Sequence, residues 1–462
     1  MTLKEIIHVT HGRVISGKKK NIEVGKICID SRKIEPNDIF ITLKGNKTNG
    51  IRYIKDVINT ASVIITNKRI KIKNDTPIIK VKNTKKALQK IGIYNRNKYI
   101  DKPVIAVTGS VGKTTTKELI AAIFKTKYNI LKTEGNMNNE IGVPIILSQI
   151  NKKHDIIILE LGMNHFKEIK KLSKMCKPQT AIITNIGTAH IGNLKTQENI
   201  LKAKMEITKY LNHGNLIVNG SDFYLNKIKP NKKYSIIKTN EKRIENIIKN
   251  DKLFFDINIK NNKYKIEFNI PNKYLIENIL LAIKTALIYE IPINNIISEI
   301  KNFKAPNKRA NIINLENNIT IIDDCYNASL ESIKSSLSLL KENDNNLAII
   351  GDVLELGEHT KEIHKKIEQE LLKIKNLKII TIGEYTKEIK IGNHFDNNEE
   401  LIEYLKKANL KNKTILIKAS RNMHLEEIKE FIINKYKIKA SIWTFIFLVK
   451  NKKLLYNYYR GI

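Results

Sequence analysis

Lys113 is followed by three threonines, Thr114 to Thr116, and preceded by Gly109-Ser-Val-Gly112, at the end of the apolar run 104–108. That spacing suits a triphosphate. Gly109 and Gly112 allow backbone N–H groups to point inward with no side chain in the way, and a helix starting at 113 would put its N-terminus beneath the anion. Lys113 would reach the β- and γ-phosphates and Thr114 would hold Mg²⁺. The longer Gly-x-x-x-x-Gly-Lys-[Ser/Thr] spacing needs glycine at 107, where this chain has Val107, so the loop is a shortened one. Gly109, Ser110, Val111, Gly112, Lys113, Thr114 and Thr115 are the expected nucleotide contacts.

Five further residues could do chemistry or bind substrate near such a phosphate. Glu160 ends the aliphatic run 156–159, where a carboxylate can meet Mg²⁺ or water beside a γ-phosphate. His190 follows a second strand end, 180–185. Lys204 sits inside the apolar stripe Ile200, Ile207, Leu211 of a helix expected over 197–211. A lysine there either snorkels outward or, if buried, becomes a neutral amine able to form a Schiff base or to take up CO₂ as a metal-binding carbamate. Asn138 and Asn139, in the amide-rich stretch 134–144, suit a polar substrate. Farther on, Asp323-Asp-Cys-Tyr-Asn327 and Gly351-Asp-Val-Leu-Glu-Leu-Gly357 bring acids and amides to strand ends.

The elements that must position these residues read as α/β throughout. Residues 1–85 carry short strands near 27–30, 38–43 and 61–66, and a helix over 84–98 leads to Asp101-Lys-Pro103. From 103 to about 300, strands at 104–108, 155–160, 180–185 and 216–219 alternate with helices, the pattern of a parallel sheet. Ligands in such sheets lie beyond the carboxyl ends of the strands, where Glu160, Asn185 and His190 fall. Alternation over 254–270 about Asn261-Asn262 predicts a hairpin appended to this domain. Past 303–309 a further set begins, with strands at 319–324, 347–352, 377–382 and 414–418. The apolar run in 440–450 is far shorter than the roughly 20 residues that span a bilayer and reads as a final strand or packed tail, with contact at a membrane surface as the alternative.

Composition narrows the class. The chain has 462 residues, 42% of them apolar, which allows several ordinary cores. Lysine and arginine number 82 against 46 acids, a formal charge of +36, but the excess is scattered lysine in a chain rich in Asn and Ile. No basic stripe interleaved with aromatics appears, so we expect no nucleic-acid partner; the charge would instead draw small anions. Three dispersed cysteines, Cys28, Cys176 and Cys325, fit a reducing compartment. With no signal-like N-terminal core and no transmembrane segment, the expectation is a cytoplasmic enzyme and, by default, a monomer.

Taken together, the motifs resemble those of the Mur ligase superfamily, which joins amino acids or peptides to carboxylates using ATP. The short loop Thr108-Gly-Ser-Val-Gly-Lys-Thr-Thr115 carries the resemblance to the superfamily. Asn138-Asn-Glu-Ile-Gly-Val-Pro144, Glu160-Leu-Gly-Met-Asn164, Ala203-Lys-Met-Glu-Ile207, Asp323-Asp-Cys-Tyr-Asn-Ala328 and Gly351-Asp-Val-Leu-Glu-Leu-Gly-Glu358 carry it to the dipeptide-adding branch. It implies three domains: a small UDP-substrate-binding α/β domain at 1–100, a central P-loop ATPase domain with a parallel sheet at 101–304, and a C-terminal Rossmann-like domain at 305–438, with 439–462 unassigned. It implies ATP and Mg²⁺, a carbamylated Lys204, and UDP-N-acetylmuramoyl-tripeptide and D-alanyl-D-alanine as partners in peptidoglycan precursor synthesis. Lys113 would hold phosphates, and Thr114, Glu160, His190 and carbamylated Lys204 the metal. Asn278, Arg309, Asp324 and Asn327 would contact the nucleotide, and Asp30, Ser31 and Arg32 the UDP moiety.

The chain departs from the family pattern in places. Phe166-Lys167 replaces Pro-Gly, Ser329-Leu330 replaces Asn-Pro, Asn307 and Ala419 replace glycines, and Leu275 replaces an Asn. These are mostly turn positions, so we expect a slower or less stable enzyme with the same reaction. Alternatives are another Mur-type amide ligase (tripeptide-forming ligase or folylpolyglutamate synthase), a nucleotide-dependent nucleic-acid-binding protein, and a binding protein that has lost catalysis.

Overall fold

The computed structural model describes residues 1–18, 22–45, 48–70, 72, 74–211, 213–239, 244, 246–249, 252–259, 262–304, 311–340 and 345–436. Asn261, Asn307, Arg309 and the 439–462 tail lie outside the described residues. The chain divides into two compact units between Lys304 and Ala305.

The first unit opens with α1 (Leu3–Thr10), started by a capping box in which Thr2 Oγ1 accepts the Glu5 N–H and the Glu5 carboxylate accepts the Thr2 N–H. Strands β1 (Arg13–Ser16), β2 (Ile27–Cys28), β3 (Ile39–Ile41), β4 (Val63–Thr66) and β5 (Ile78–Lys80) form a sheet in the order β1-β5-β4-β3-β2, with α2 (Ile54–Val57) between β3 and β4. It is parallel except for β1. Next, α3 (Thr84–Lys98) starts where Asn83 accepts the Lys86 N–H at 2.9 Å. One side of α3 buries Ala87, Leu88 and Ile91 against the first sheet. Its other side meets the elements that follow. A Cβ on Gly92 would lie 2.6 Å from the Pro144 carbonyl, and Asn95 Nδ2 donates to the Leu147 and Ile150 carbonyls at 2.8 and 2.9 Å.

The chain then runs through β6 (Val104–Thr108), α4 (Lys113–Phe124), β7 (Ile130–Lys132), α5 (Gly142–Ser148), β8 (Ile156–Glu160), α6 (Glu168–Cys176), β9 (Thr180–Ile183), α7 (Ile191–Leu194), α8 (Gln197–Met205), β10 (Asn215–Val218) and β11 (Ser235–Lys238). Among the described residues these strands form an all-parallel sheet ordered β11-β10-β9-β6-β8-β7. β6, β8 and β9 are buried along their whole length, as their unbroken apolar runs require of strands covered on both faces. The helix expected over 197–211 is α-helical to Met205 and tightens to 3-10 over Glu206–Tyr210, keeping Ile200, Lys204, Ile207 and Leu211 buried.

The expected hairpin is part of a three-stranded antiparallel sheet, β12 (Asn246–Lys249), β13 (Lys252–Ile259) and β14 (Asn262–Phe268). It is no appendage. Phe255, Ile257, Ile266 and Phe268 enter the core that holds Leu119, Phe124 and Ile279, alongside α9 (Ile276–Ile288) and α10 (Ile293–Lys301).

The second unit contains β15 (Asn311–Leu315), β16 (Ile319–Asp323), α11 (Leu330–Leu337), β17 (Asn346–Gly351), α12 (Thr360–Leu372), β18 (Lys378–Ile382), β19 (Asn393–Phe395), α13 (Asn398–Lys407), β20 (Thr414–Lys418) and α14 (Glu426–Tyr436). Its sheet runs β15-β16-β20-β17-β18-β19, parallel except for β15. Three parallel or mixed sheets, besides the antiparallel sheet of β12–β14, agree with the α/β class read from the sequence. Among the described residues no helix is long and apolar enough to cross a membrane.

Candidate active site

The phosphate loop lies where β6 turns into α4. Gly112 takes the N-cap of α4 at φ 83°, a left-handed conformation that favours glycine. Space also requires glycine there, because a Cβ on Gly112 would lie 2.6 Å from Asn278 Oδ1. Gly109 has a similar need, since its Cβ would fall 1.8 Å from Thr184 Oγ1. Asn278, only 7% exposed, is thereby packed on the loop. The Lys113 ammonium curls back onto the loop and donates to the Gly109 and Ser110 carbonyls at 2.8 and 3.1 Å.

Glu160 reaches the same place because β8 pairs with β6 in a register that sets Glu160 opposite Val107. Its Oε2 accepts the Thr114 hydroxyl at 2.7 Å and its Oε1 accepts Asn138 Nδ2 at 2.9 Å. The carboxylate is 2% exposed, and among the described residues its side-chain partners are these neutral donors. A buried carboxylate is normally paired or bound to a cation. Behind it, the Glu160 N–H donates to Thr133 Oγ1 at 3.0 Å. The Thr133 carbonyl accepts the buried Lys117 ammonium at 2.7 Å, and Lys117 also pairs with Glu118.

Of the two alternatives for Lys204 on α8, snorkelling outward or burial, the structure has burial, at 1% exposure. Burial, and then the charge of Lys113, push its pKa well below the ordinary lysine range, which favours the neutral amine over the ammonium. His190 starts α7 in a left-handed conformation, φ 66°, in the segment that follows β9. No group of three or more His, Cys, Asp or Glu side chains able to hold a metal occurs among the described residues. The direct contacts bring together Thr114, Glu160 and Asn138, with Asn278 against the loop.

Asn139 has a different local task. Its Oδ1 accepts the Ile141 and Gly142 N–H groups, both at 3.0 Å, at the start of α5. Asp30 caps the short turn Ser31–Lys33 and receives Arg32 Nε and Nη2 at 2.9 and 2.8 Å. That arginine holds the Asp30 carboxyl at a pKa of about 2.

In the second unit, buried Lys418 donates to Asp324 Oδ2 at 2.5 Å and to the Asn327 carbonyl at 3.1 Å, and Ser336 Oγ donates to the same Asp324 oxygen. Asp352 accepts the N–H groups of Glu384, Tyr385 and Thr386, and a Cβ on Gly383 would strike its carboxyl. Buried His364 receives the Val353 N–H at Nε2 and bonds the Thr360 carbonyl through Nδ1, so it is neutral; burial lowers its pKa.

Several departures from the family pattern have local compensations. Ser329 caps α11 through a reciprocal capping box with Ser332. Lys167 adopts φ 70° where glycine would be unstrained, and Glu206 accepts the Lys167 and Lys170 N–H groups at 2.8 and 3.1 Å. Ala419 packs its methyl where Gly351 leaves room. Phe166 is 42% exposed, and nothing in the structure explains it.

Asn185 holds the loop in a way that spacing alone does not show. Its Oδ1 accepts the Ser110 and Val111 N–H groups at 3.1 and 2.9 Å. Its position at the end of a strand on the phosphate edge was the available signal.

Comparison with known proteins agrees with this geometry. The Mur ligase middle domain matches residues 107–286, and the Mur ligase, glutamate ligase domain matches 308–421. The chain is 34% identical to a UDP-N-acetylmuramoyl-tripeptide--D-alanyl-D-alanine ligase of Buchnera aphidicola, over 90% of this chain and 94% of the relative. It is 30% identical to that of Bacillus subtilis, over 94% and 98%. Among solved structures, MurF from Acinetobacter baumannii superposes with a TM-score of 0.84 at 27% identity, covering 94% of this chain and 98% of that one. With both domain models matched in order and relatives aligned nearly end to end, the chain belongs to the Mur ligase family.

Proposed function

We infer that the chain is the ATP-dependent ligase that adds D-alanyl-D-alanine to UDP-N-acetylmuramoyl-tripeptide, as a monomer, in the cytoplasmic phase of peptidoglycan synthesis. The observation that carries the reading is the Thr114–Glu160 hydrogen bond at the mouth of the phosphate loop, in a chain that follows D-alanyl-D-alanine ligases almost end to end. The division into 1–100, 101–304 and 305–438 belongs to the same reading.

In this reaction a terminal oxygen of the tripeptide carboxylate attacks the γ-phosphorus and ADP leaves. The dipeptide amine then attacks the acyl carbon, loses a proton, and the C–O bond to phosphate breaks. Carboxylate oxygen is a poor leaving group and phosphate a good one. The chain's contribution is to place and neutralise. Lys113 uncurls from the Gly109 and Ser110 carbonyls to meet the phosphates. The N-terminus of α4 supplies N–H groups to the same anion, and Asn278 sits beside Gly112 where the nucleotide passes.

Thr114 and Glu160 fit Mg²⁺. A hydroxyl beside one buried carboxylate is the small oxygen donor set that leaves room for phosphate oxygens and water. Once bound, the ion offsets negative charge on the phosphates and on the oxygen that leaves. His190 and carbamylated Lys204 complete the proposed metal sites. The depressed basicity of Lys204 supports the carbamate, because only the neutral amine adds CO₂. Asp30, Ser31 and Arg32 are assigned to the UDP moiety, Asn138 and Asn139 to the substrate region, and Asp324, Asn327 and Arg309 to the nucleotide.

Tripeptide carrying heavy oxygen in its terminal carboxylate tests the acyl phosphate. One labelled oxygen should appear in the released phosphate for each ligation. Label retained wholly in tripeptide and product would overturn the mechanism.

A further inference from the structure

The phosphate loop is held from behind by the four residues that follow β9. The Thr184 hydroxyl donates to the Val111 carbonyl at 2.5 Å. Asn185 Oδ1 takes the N–H groups of Ser110 and Val111 together, at 3.1 and 2.9 Å, and the Asn185 carbonyl also accepts the Ser110 N–H. Gly187 N–H donates to Ser110 Oγ at 2.9 Å. The register of β6 and β9, which pairs Thr108 with Ile183, brings the two strand ends side by side. Thr184 approaches only because Gly109 has no Cβ. The far end of the segment is anchored by Asp222 Oδ2, which accepts the Ile186 N–H, and by Gln197 Nε2, which donates to the Ile186 carbonyl.

We propose that Asn185 is a positioning residue for the nucleotide phosphates: by holding the Ser110 and Val111 N–H groups, it fixes the loop in its anion-binding shape before ATP arrives. The inference rests on the reading of this loop as the ATP site. A short loop with one glycine at each end has few internal restraints. With the Ser110 and Val111 N–H groups taken by Asn185, the anion falls to the N–H groups of Gly112 and the first turn of α4, which converge on it only if the backbone between the glycines is pinned. A side-chain amide can do this where a carboxylate cannot, because it accepts two N–H groups without placing a negative charge against the phosphates. Preorganisation of this kind saves ordering cost when ligand binds. The same segment leads to His190, so the loop and the proposed metal ligand are set by one stretch of backbone.

The test compares ADP, whose β-phosphate uses the loop, with AMP, which lacks it. By calorimetry, Asn185→Ala should weaken ADP binding about tenfold or more while AMP affinity stays within about twofold of the unaltered protein. Asn185→Asp keeps both N–H partners but adds charge, and should weaken ADP at least as much. ADP affinity within about twofold in Asn185→Ala, or equal losses for ADP and AMP, would overturn the proposal.

Amide exchange in the unaltered, nucleotide-free protein provides a second arm that needs no variant to fold. Ser110 and Val111 should be protected, and exchange at open-loop rates would overturn the proposal. Failure of the unaltered protein to bind ADP would instead contradict the ATP-site reading, and the exchange arm would still decide the clamp.

Discussion

Thr114 and Glu160 are joined by a 2.7 Å hydrogen bond between a hydroxyl on the first turn of α4 and a carboxylate at the end of β8. The two residues are 46 apart in sequence, and the β6–β8 pairing brings them together. A charge is thus buried against neutral donors beside the phosphate loop, an arrangement costly for folding and useful for holding a cation.

Glu160→Gln separates those two roles. The amide keeps partners for Thr114 and Asn138 but removes the charge. Turnover should fall by about 10² or more, while the melting temperature stays level or rises because a buried charge is gone. Steady-state kinetics and thermal unfolding of one preparation check both; turnover within about threefold of the unaltered protein would contradict the role of the charge.

Lys204 carries a pH signature. Burial and the Lys113 charge lower its folded pKa, so at low pH its ammonium is buried at full cost. As pH climbs through the folded value toward about 10.4, the unfolded chain holds a proton that the folded one does not, and stability rises. In CO₂-free buffer, Lys204→Met should therefore be more stable than the unaltered protein, with a gain that shrinks as pH rises and vanishes above about 10.4. Lys204→Ala should lose nearly all turnover, and excess bicarbonate should not restore it. Urea midpoints across pH and initial rates check the two halves.

These residues differ in how far their surroundings are legible in the sequence. The phosphate loop is local chemistry, so glycine spacing and Lys113 were enough. Glu160 and Lys204 were legible from a strand end and a helical stripe. Asn185 was visible only as an edge residue, because its two N–H partners depend on the β6–β9 register. That the Asn139 oxygen accepts the N–H groups at the start of α5 was not legible, because no spacing rule distinguishes that geometry. The strands left unread, β1, β5, β7, β11, β12, β15 and β19, hold no more than two consecutive apolar residues each, so neither an apolar run nor a period-2 pattern stands out.

Lys167 stores strain at φ 70°. Lys167→Gly should stabilise the first unit by about 0.5–1 kcal/mol, the left-handed penalty less the extra chain entropy of glycine. Glu206→Ala, which frees the Lys167 and Lys170 N–H groups, should cost about 1 kcal/mol. Chemical denaturation of the single variants measures both.

Gly351 faces the Ala419 methyl, and a Cβ there would sit 2.7 Å from it. Gly351→Ala should destabilise the second unit by about 1–3 kcal/mol through overpacking between β17 and β20. Ala419→Gly in the same chain should recover most of that loss. A double-mutant cycle on unfolding reads the coupling, and additive effects would contradict the contact.

Phosphate release from ATP and Mg²⁺, with UDP-N-acetylmuramoyl-tripeptide and D-alanyl-D-alanine added separately and together, tests whether the chain is the dipeptide-adding ligase. Release should be sustained only when both are present, with a product heavier by the dipeptide. Sustained release without either acceptor, or none with both, would contradict that function.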